Sequence, residues 1–169
     1  MESQNSYRTT PRRVLSATIR VAALLCLPLA AQNSGYLTVD QVQKVAGKRG
    51  AAVQAKIPMT VKEGCHVNSN KPNDEYLIPL TLTWKATGAL TPGTVVYPKP
   101  MLEKPDFADK PLSIYKGTFE VVANFKVAND APAGPGAAVG TLRYQACSDV
   151  SAACFPPKTV EVKVPYTVQ

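Results

Sequence analysis

Apolar and polar residues alternate with a period of two in several segments, and this alternation limits what the chain can fold into. The clearest segments are 51–62, 80–86, 119–127 and 160–168. Side chains of a β-strand point alternately to the two faces of a sheet, so each segment predicts a strand with one buried face. Fifteen prolines and ten glycines punctuate the chain, which is typical of short strands joined by turns.

About seven strands are predicted in all, because weaker candidates occur at 94–97 and 139–147 and an edge strand is possible within 32–50. No long segment has the 3.6-residue period of a helix. The pattern predicts an all-β fold, an antiparallel immunoglobulin-like β-sandwich, with a small barrel as the alternative. Pro58 within the first long strand predicts an edge position or a bulge. Residues 64–75 and 99–111 are predicted to be long loops.

The first 31 residues have the features of a secretory signal. An apolar run from Val21 to Ala31 ends in small residues and follows a basic stretch. We expect residues 1–31 to be a signal peptide, 32–50 an N-terminal strand or linker, and 51–169 the β-sandwich domain. An uncleaved membrane anchor, or a lipid anchor at Cys26, is the alternative. The basic residues of the signal are Arg8, Arg12, Arg13 and Arg20.

The charge of the chain does not indicate a nucleic-acid partner. Residues 1–31 hold four arginines and one glutamate, so removing them lowers the formal net charge from +7 to +4. The remaining lysines are scattered, whereas a nucleic-acid site needs a basic stripe. Beyond the signal no apolar run approaches the ~20 residues that span a bilayer, so no membrane span is predicted in the mature chain.

Three cysteines remain beyond the signal, and Cys147 and Cys154 are the natural pair. Six residues separate them, which suits a hairpin whose two arms are close enough for a disulfide. Cys65 is then left over. From the spacing alone, a structural bond is favoured over a redox-active one.

Residues 144–157 closely resemble the redox segment of one family, the N-terminal periplasmic domain of the thiol–disulfide interchange protein DsbD. That segment contains Tyr-Gln-x-Cys, a short loop, a second Cys, an aromatic or aliphatic residue and Pro-Pro, as this sequence does. Residues 64–72 and 76–79 also resemble family members. The resemblance extends over about residues 50–168.

The resemblance implies an immunoglobulin-like fold and a pair, Cys147 and Cys154, that cycles between dithiol and disulfide without a cofactor. It implies thioredoxin-fold periplasmic proteins as partners, bound by a transient mixed disulfide through Cys154. It also implies a cap loop over the pair, for which Asp106 and Phe107 match best. Further residues of the motif are expected to support the site, namely Tyr144, Asp149, Phe155 and Pro156.

Full-length members of this family continue into a membrane-spanning domain and a thioredoxin-like domain with a Cys-x-x-Cys motif. No such motif occurs up to Gln169. We therefore expect a periplasmic thiol–disulfide oxidoreductase component that lacks these domains and exchanges electrons with a separate protein.

The residues near the pair in sequence predict a slow nucleophile. No Lys, Arg or His lies within three residues of Cys154, and Asp149 is close to Cys147, so no local cation lowers either thiol pKa. Phe107 would add steric protection.

Other functions are weaker alternatives. The main one is a secreted, non-catalytic binding module with a structural disulfide. His66 with Cys147 and Cys154 matches metal ligands by residue type, but the spacing gives no support for a metal site. Cys65 is expected to be a partly buried residue at a strand end, with an intermolecular disulfide as the alternative. Trp84 is expected to pack in the core, where it could lie against the disulfide.

Overall fold

The computed structural model describes residues 32–33, 35–106, 108–151 and 153–169. All regular elements in these ranges are β-strands, arranged in three open sheets. The predicted all-β, immunoglobulin-like class is confirmed, whereas the predicted signal at 1–31 lies outside the described residues. No helix in the described ranges has the length and apolar character needed to cross a membrane.

The three sheets contain thirteen strands, numbered in chain order. The first sheet, in spatial order, contains β1 (Gln32–Asn33), β2 (Leu37–Val39), β4 (Ala52–Val61), β10 (Thr118–Val127) and β7 (Leu90–Val96). The second contains β3 (Val45–Gly47), β13 (Lys158–Val168), β11 (Gly134–Tyr144) and β6 (Thr81–Trp84). The third contains β12 (Ala146–Ser148), β5 (Cys65–Asn68), β9 (Leu112–Tyr115) and β8 (Met101–Glu103). Neighbouring strands are antiparallel except β3 and β13.

The core lies between the first two sheets. Alternate side chains of β4 are fully buried, including Ile57 and Met59, and they belong to one apolar cluster with Leu142 of β11. Trp84 of β6 meets Phe125 of β10 edge-on, with ring centroids 5.1 Å apart. Trp84 is thus part of the contact between the two sheets, as its apolar position predicts.

Pro58 lies in an interior strand without a bulge, so the bulge prediction is wrong, but the neighbouring strand β2 does not extend to it, so the predicted edge position holds locally. It pairs in regular register with Glu120 of β10. β2 has already ended at Val39 on the other side of β4, where Asp40 N donates to Pro58 O at 2.9 Å. The nitrogen of a strand residue points to the same side as its carbonyl, so the missing N–H of Pro58 takes no hydrogen bond from β10.

Two strands of the third sheet lie in segments predicted as loops. β5 occupies part of 64–75, and β8 occupies part of 99–111. Both are short, and neither has the alternation of the longer strands. They form because β5 pairs with β12 and β9, and β8 pairs with β9. The third sheet therefore joins segments that are far apart in sequence, and it carries the cysteine pair.

Candidate functional site

Cys147 of β12 forms a disulfide with Cys154, as the sequence predicts. The two residues face each other in an isolated antiparallel bridge with Cα atoms 3.9 Å apart. Two backbone hydrogen bonds of 2.8 Å flank the pair, from Ser148 N to Ala153 O and from Phe155 N to Ala146 O. This pattern defines a non-hydrogen-bonded pair, the antiparallel position at which opposite side chains come closest.

The two cysteines differ in exposure. Cys147 is buried, with 3% of its surface accessible, whereas Cys154 is exposed. The turn between them is closed by Ser148, whose Oγ accepts hydrogen bonds of 3.2 Å from Val150 N and Ser151 N. Val150 at the tip of this turn is 90% exposed. An incoming thiol therefore meets Cys154 and the turn before it meets Cys147.

His66 lies directly opposite Cys147, on the neighbouring strand β5. Opposed residues of an antiparallel pair point to the same face, with Cβ atoms about 4.5–5.5 Å apart. Cys154 opposes Cys147 from the other side. One face of the third sheet thus carries His66, Cys147 and Cys154 in a row.

Charged groups lie next to the Nδ1 atom of the His66 ring. Asp149 Oδ1 lies 2.7 Å from His66 Nδ1 and 3.3 Å from Lys116 Nζ, and Lys116 Nζ donates to Glu103 Oε2 at 2.6 Å. Burial raises the pKa of Asp149, but the hydrogen bonds and charges of His66 and Lys116 outweigh burial and leave that pKa lowered. Burial lowers the pKa of Lys116, but its two carboxylate partners outweigh burial and leave it raised.

The expectation that the thiols have no cationic neighbour is incomplete, because it considered only neighbours in sequence. The fold brings His66 beside Cys147 across 81 positions of chain, and it brings Lys116 to Asp149. Sequence reasoning treated Asp149 as an unfavourable charge near a thiol. In the structure this carboxylate instead binds the imidazole and the ammonium group. The slow reaction of the pair with small oxidants stays a prediction.

Gln145 joins the segments around the pair, a role that sequence reasoning missed. Its Oε1 accepts hydrogen bonds of 3.3 Å from Asn68 Nδ2 and Ile78 N, and its Nε2 donates to Phe155 O at 3.3 Å. One side chain thus links β5, the segment before β6 and the chain leaving Cys154. The Tyr-Gln-x-Cys motif could have indicated this role, since it places Gln two residues before the first cysteine.

The predicted supporting residues occupy different environments. Tyr144 is fully buried in the core. Phe155 is half-buried and stacks on Tyr36, with ring centroids 4.0 Å apart and planes 12° apart. Pro156 is exposed. Tyr144 and Phe155 therefore anchor the two ends of the cysteine hairpin to the sandwich.

The predicted cap loop is described in part. Phe107 lies outside the described residues, and Asp106 is exposed. Ala108 and Leu112 line a cavity of about 170 Å³ together with both cysteines and His66. Ala108 of this loop, together with Leu112 of β9, thus lies beside the same face of the third sheet as the cysteine pair.

Cys65 is a half-buried free cysteine at the start of β5, as predicted. It opposes Ser148, one position along from the His66–Cys147 pair, so it points to the opposite face of the sheet from the disulfide. Across the described part of the chain, no group of three or more His, Cys, Asp or Glu side chains is arranged to hold a metal ion.

Together, a β-sandwich and a disulfide at the edge of an attached small sheet define an immunoglobulin-like domain with a cysteine pair at one end. A family model described as "Thiol:disulfide interchange protein DsbD, N-terminal" matches residues 33–165. The chain belongs to this family of thiol–disulfide interchange domains. The match confirms the family that the sequence of residues 144–157 resembles.

One solved structure supports the fold. The N-terminal periplasmic domain of ScsB from Proteus mirabilis aligns over 77% of this chain with 14% identity and a TM-score of 0.53. This chain spans 46% of that ScsB chain. The Neisseria meningitidis DsbD N-terminal domain in the reduced form aligns over 72% of this chain and 86% of its own, with 18% identity and a TM-score of 0.41. No curated protein matches the chain.

Proposed function

We propose that this chain relays reducing equivalents by thiol–disulfide exchange through Cys147 and Cys154. The partners are thioredoxin-fold proteins, which it meets through a transient mixed disulfide. Membership of the DsbD N-terminal family supports this proposal. The single observation that assigns the exchange steps to particular residues is the unequal exposure of the two bonded cysteines.

Unequal exposure gives the exchange reaction a direction of attack. A thiolate must approach a disulfide sulfur in line, through a mixed-disulfide intermediate. Cys154 is exposed and is the sulfur that an incoming partner attacks, whereas Cys147 is 3% exposed and leaves. In the reverse direction the Cys154 thiolate attacks a disulfide of the partner and forms a mixed disulfide. Cys147 then attacks the sulfur of Cys154 and releases the partner as a thiolate. Cys154 therefore forms the mixed disulfide and Cys147 resolves it.

The disulfide is not needed to hold the domain together. It closes a ring of eight residues, for which the loop-entropy model gives only about 2.5 kcal/mol. The main core lies between two other sheets and has no disulfide among its described residues. Breaking the Cys147–Cys154 bond is therefore compatible with a folded protein, as a redox cycle requires.

A cap loop that restricts access to the pair is part of the proposal. Ala108 and Leu112 line the cavity beside both cysteines, which supports a covering role for this segment. The family resemblance makes Phe107 the covering ring and Asp106 its neighbour. A docking partner would displace this segment before exchange.

Periplasmic location follows from the same reasoning. The sequence of residues 1–31 has the features of a secretory signal, and the ScsB domain that shares the fold is periplasmic. Disulfides persist in that compartment. We therefore propose that the chain is exported and works in the periplasm.

The second candidate function is a binding module with an inert disulfide. The seven-position separation of the two bonded cysteines favours it, because from this spacing alone a structural bond is favoured over a redox-active one. An inert bond would not exchange with a dithiol protein, so the two candidates differ in a measurable reaction.

The test mixes the oxidised protein with equimolar reduced thioredoxin as a probe and follows both disulfides by alkylation and mass spectrometry. The account predicts transfer of the disulfide to thioredoxin within minutes, because Cys154 is exposed. A Cys65→Ser variant is the matched control and is expected to react equally, since Cys65 points away from the pair. A Cys147–Cys154 bond that stays intact beside reduced thioredoxin would favour the inert module.

A further inference from the structure

Burial hinders proton transfer to and from the Cys147 thiol. Its thiol must lose a proton before it attacks the mixed disulfide, and it must regain one when it leaves in the reverse direction. Only 3% of the residue is exposed, so bulk water has little access to the sulfur. A side chain beside it that can accept and return a proton would remove this obstacle.

His66 occupies the required position. It opposes Cys147 in the β5–β12 register, so the two side chains share one face of the sheet. Both residues also line the same cavity as Cys154. Histidine is the side chain that most often transfers protons near neutral pH.

The hydrogen bond to Asp149 fixes which ring nitrogen is available. An ionised carboxylate can only accept hydrogen bonds, so His66 Nδ1 carries the proton and donates it to Asp149 Oδ1 at 2.7 Å. Among the described residues Nε2 has no hydrogen-bond partner, so in the neutral ring Nε2 is free to accept a proton. The lowered pKa of Asp149 agrees with an ionised carboxylate at this position.

We propose that His66 is the proton acceptor and donor for the Cys147 thiol, and that Asp149 is the positioning residue that orients its ring. This inference rests on the proposed exchange function and adds the group that handles the proton in its second step. The proposed set is the Cys147 thiol, the His66 imidazole that exchanges its proton, and the Asp149 carboxylate that holds the imidazole.

The reaction can be written with oxidised glutathione as the oxidant. The Cys154 thiolate attacks one sulfur of glutathione disulfide, and the first glutathione leaves as a thiolate. Cys147 then gives its proton to His66 Nε2 and attacks Cys154 Sγ. The mixed disulfide breaks, and the second glutathione leaves as a thiolate that takes a proton from the imidazolium or from water. Two protein thiols are oxidised to one disulfide, and glutathione disulfide is reduced to two thiols.

Few other titratable groups face His66 among the described residues. Asp149 comes from the turn after β12, Lys116 from the end of β9 and Glu103 from β8, and all three line a small cavity with the imidazole. On the other side the two cysteines are the titratable groups. Lys116 is neutralised by Asp149 and Glu103, so the carboxylate remains the direct partner of the ring.

The experiment separates the two chemical steps. Reduced proteins carrying Cys65→Ser are mixed with oxidised glutathione, quenched with acid and analysed by mass spectrometry. A Cys147→Ser background reports only the attack by Cys154. At pH 7, His66→Gln is expected to slow resolution of the mixed disulfide about 100-fold, and Asp149→Asn about tenfold. In the Cys147→Ser background, His66→Gln is expected to change the first step less than about twofold.

The pH profile distinguishes proton transfer from a structural effect. Without the imidazole, resolution depends on the ionised fraction of Cys147, so its rate should rise about tenfold per pH unit below the ordinary thiol pKa of about 8.5. In the protein with His66, the rate of resolution should rise less steeply with pH. The proposal would be overturned if His66→Gln slowed the attack by Cys154 and the resolution by Cys147 equally. It would also be overturned if His66→Gln resolved the mixed disulfide at the same rate, and with the same dependence on pH, as the protein with His66.

Two outcomes keep this inference separate from the function on which it rests. If the protein with His66 never resolves the mixed disulfide, the exchange function itself fails. If the protein with His66 resolves the mixed disulfide and His66→Gln resolves it at the same rate, only the proposed role of His66 fails. Should His66→Gln not fold, Asp149→Asn carries the test, and an unchanged resolution rate in that variant contradicts the inference.

Discussion

A Cys147→Ser variant is expected to accumulate mixed disulfides through Cys154 when its reduced form is incubated with a periplasmic extract. Cys154 is exposed and can attack a partner disulfide, whereas serine at position 147 cannot resolve the product. Non-reducing electrophoresis followed by mass spectrometry should identify thioredoxin-fold proteins in adducts that a dithiol releases.

The matched control is Cys154→Ser, which leaves the buried cysteine as the nucleophile. Because Cys147 is 3% exposed, its adducts should be at least about tenfold fewer. Both variants should carry Cys65→Ser, so that the free cysteine on the opposite face of the sheet does not contribute. Adducts formed equally by the two variants would contradict the assignment of the attacking sulfur, and an absence of adducts would contradict the relay.

Leu142→Ala is expected to lower the free energy of unfolding by about 3 kcal/mol. Leu142 is fully buried on β11, the strand that pairs with both β13 and β6. Truncation removes apolar contacts and leaves a cavity between the two main sheets, and the packed surroundings close such a cavity only in part. Denaturant unfolding with the disulfide intact measures the change.

Arg143→Ala is the matched control for this loss. Arg143 is the next residue of the same strand and is exposed, so its replacement should change stability by less than about 0.5 kcal/mol. A loss below about 1 kcal/mol in Leu142→Ala would contradict a tightly packed core between the two sheets.

The long strands could be predicted from the sequence because their signal is local. In β4, the residues at alternate positions from Ala55 to Val61 are buried, and in β10 the same holds from Val121 to Val127. Period-two alternation reports one buried face directly, without knowledge of the partner strand. The sandwich class followed from the number and spacing of such segments.

The third sheet could not be predicted in the same way. β5 and β8 contain four and three residues, and β5 pairs only with strands that lie far along the chain. Strands this short are stabilised by cross-strand contacts more than by intrinsic preference. For the same reason the neighbours of Cys147 were missed, since His66 reaches it only through the β5–β12 register.

The cysteine pairing could be predicted from the sequence because the two residues close a short hairpin. Six intervening residues limit how far apart Cys147 and Cys154 can be. The proton-transfer geometry was beyond reach, because it depends on two side chains 83 positions apart, His66 and Asp149.

The reduction potential of the Cys147–Cys154 pair tests the central claim most directly. Purified protein carrying Cys65→Ser is equilibrated in buffers of reduced and oxidised dithiol at known ratios, and the reduced fraction is read by alkylation and mass. A pair that exchanges electrons with thioredoxin-fold partners predicts a potential above about −300 mV. A potential below that value, in the range of structural disulfides, would contradict the account and leave an immunoglobulin-like domain with an inert bond.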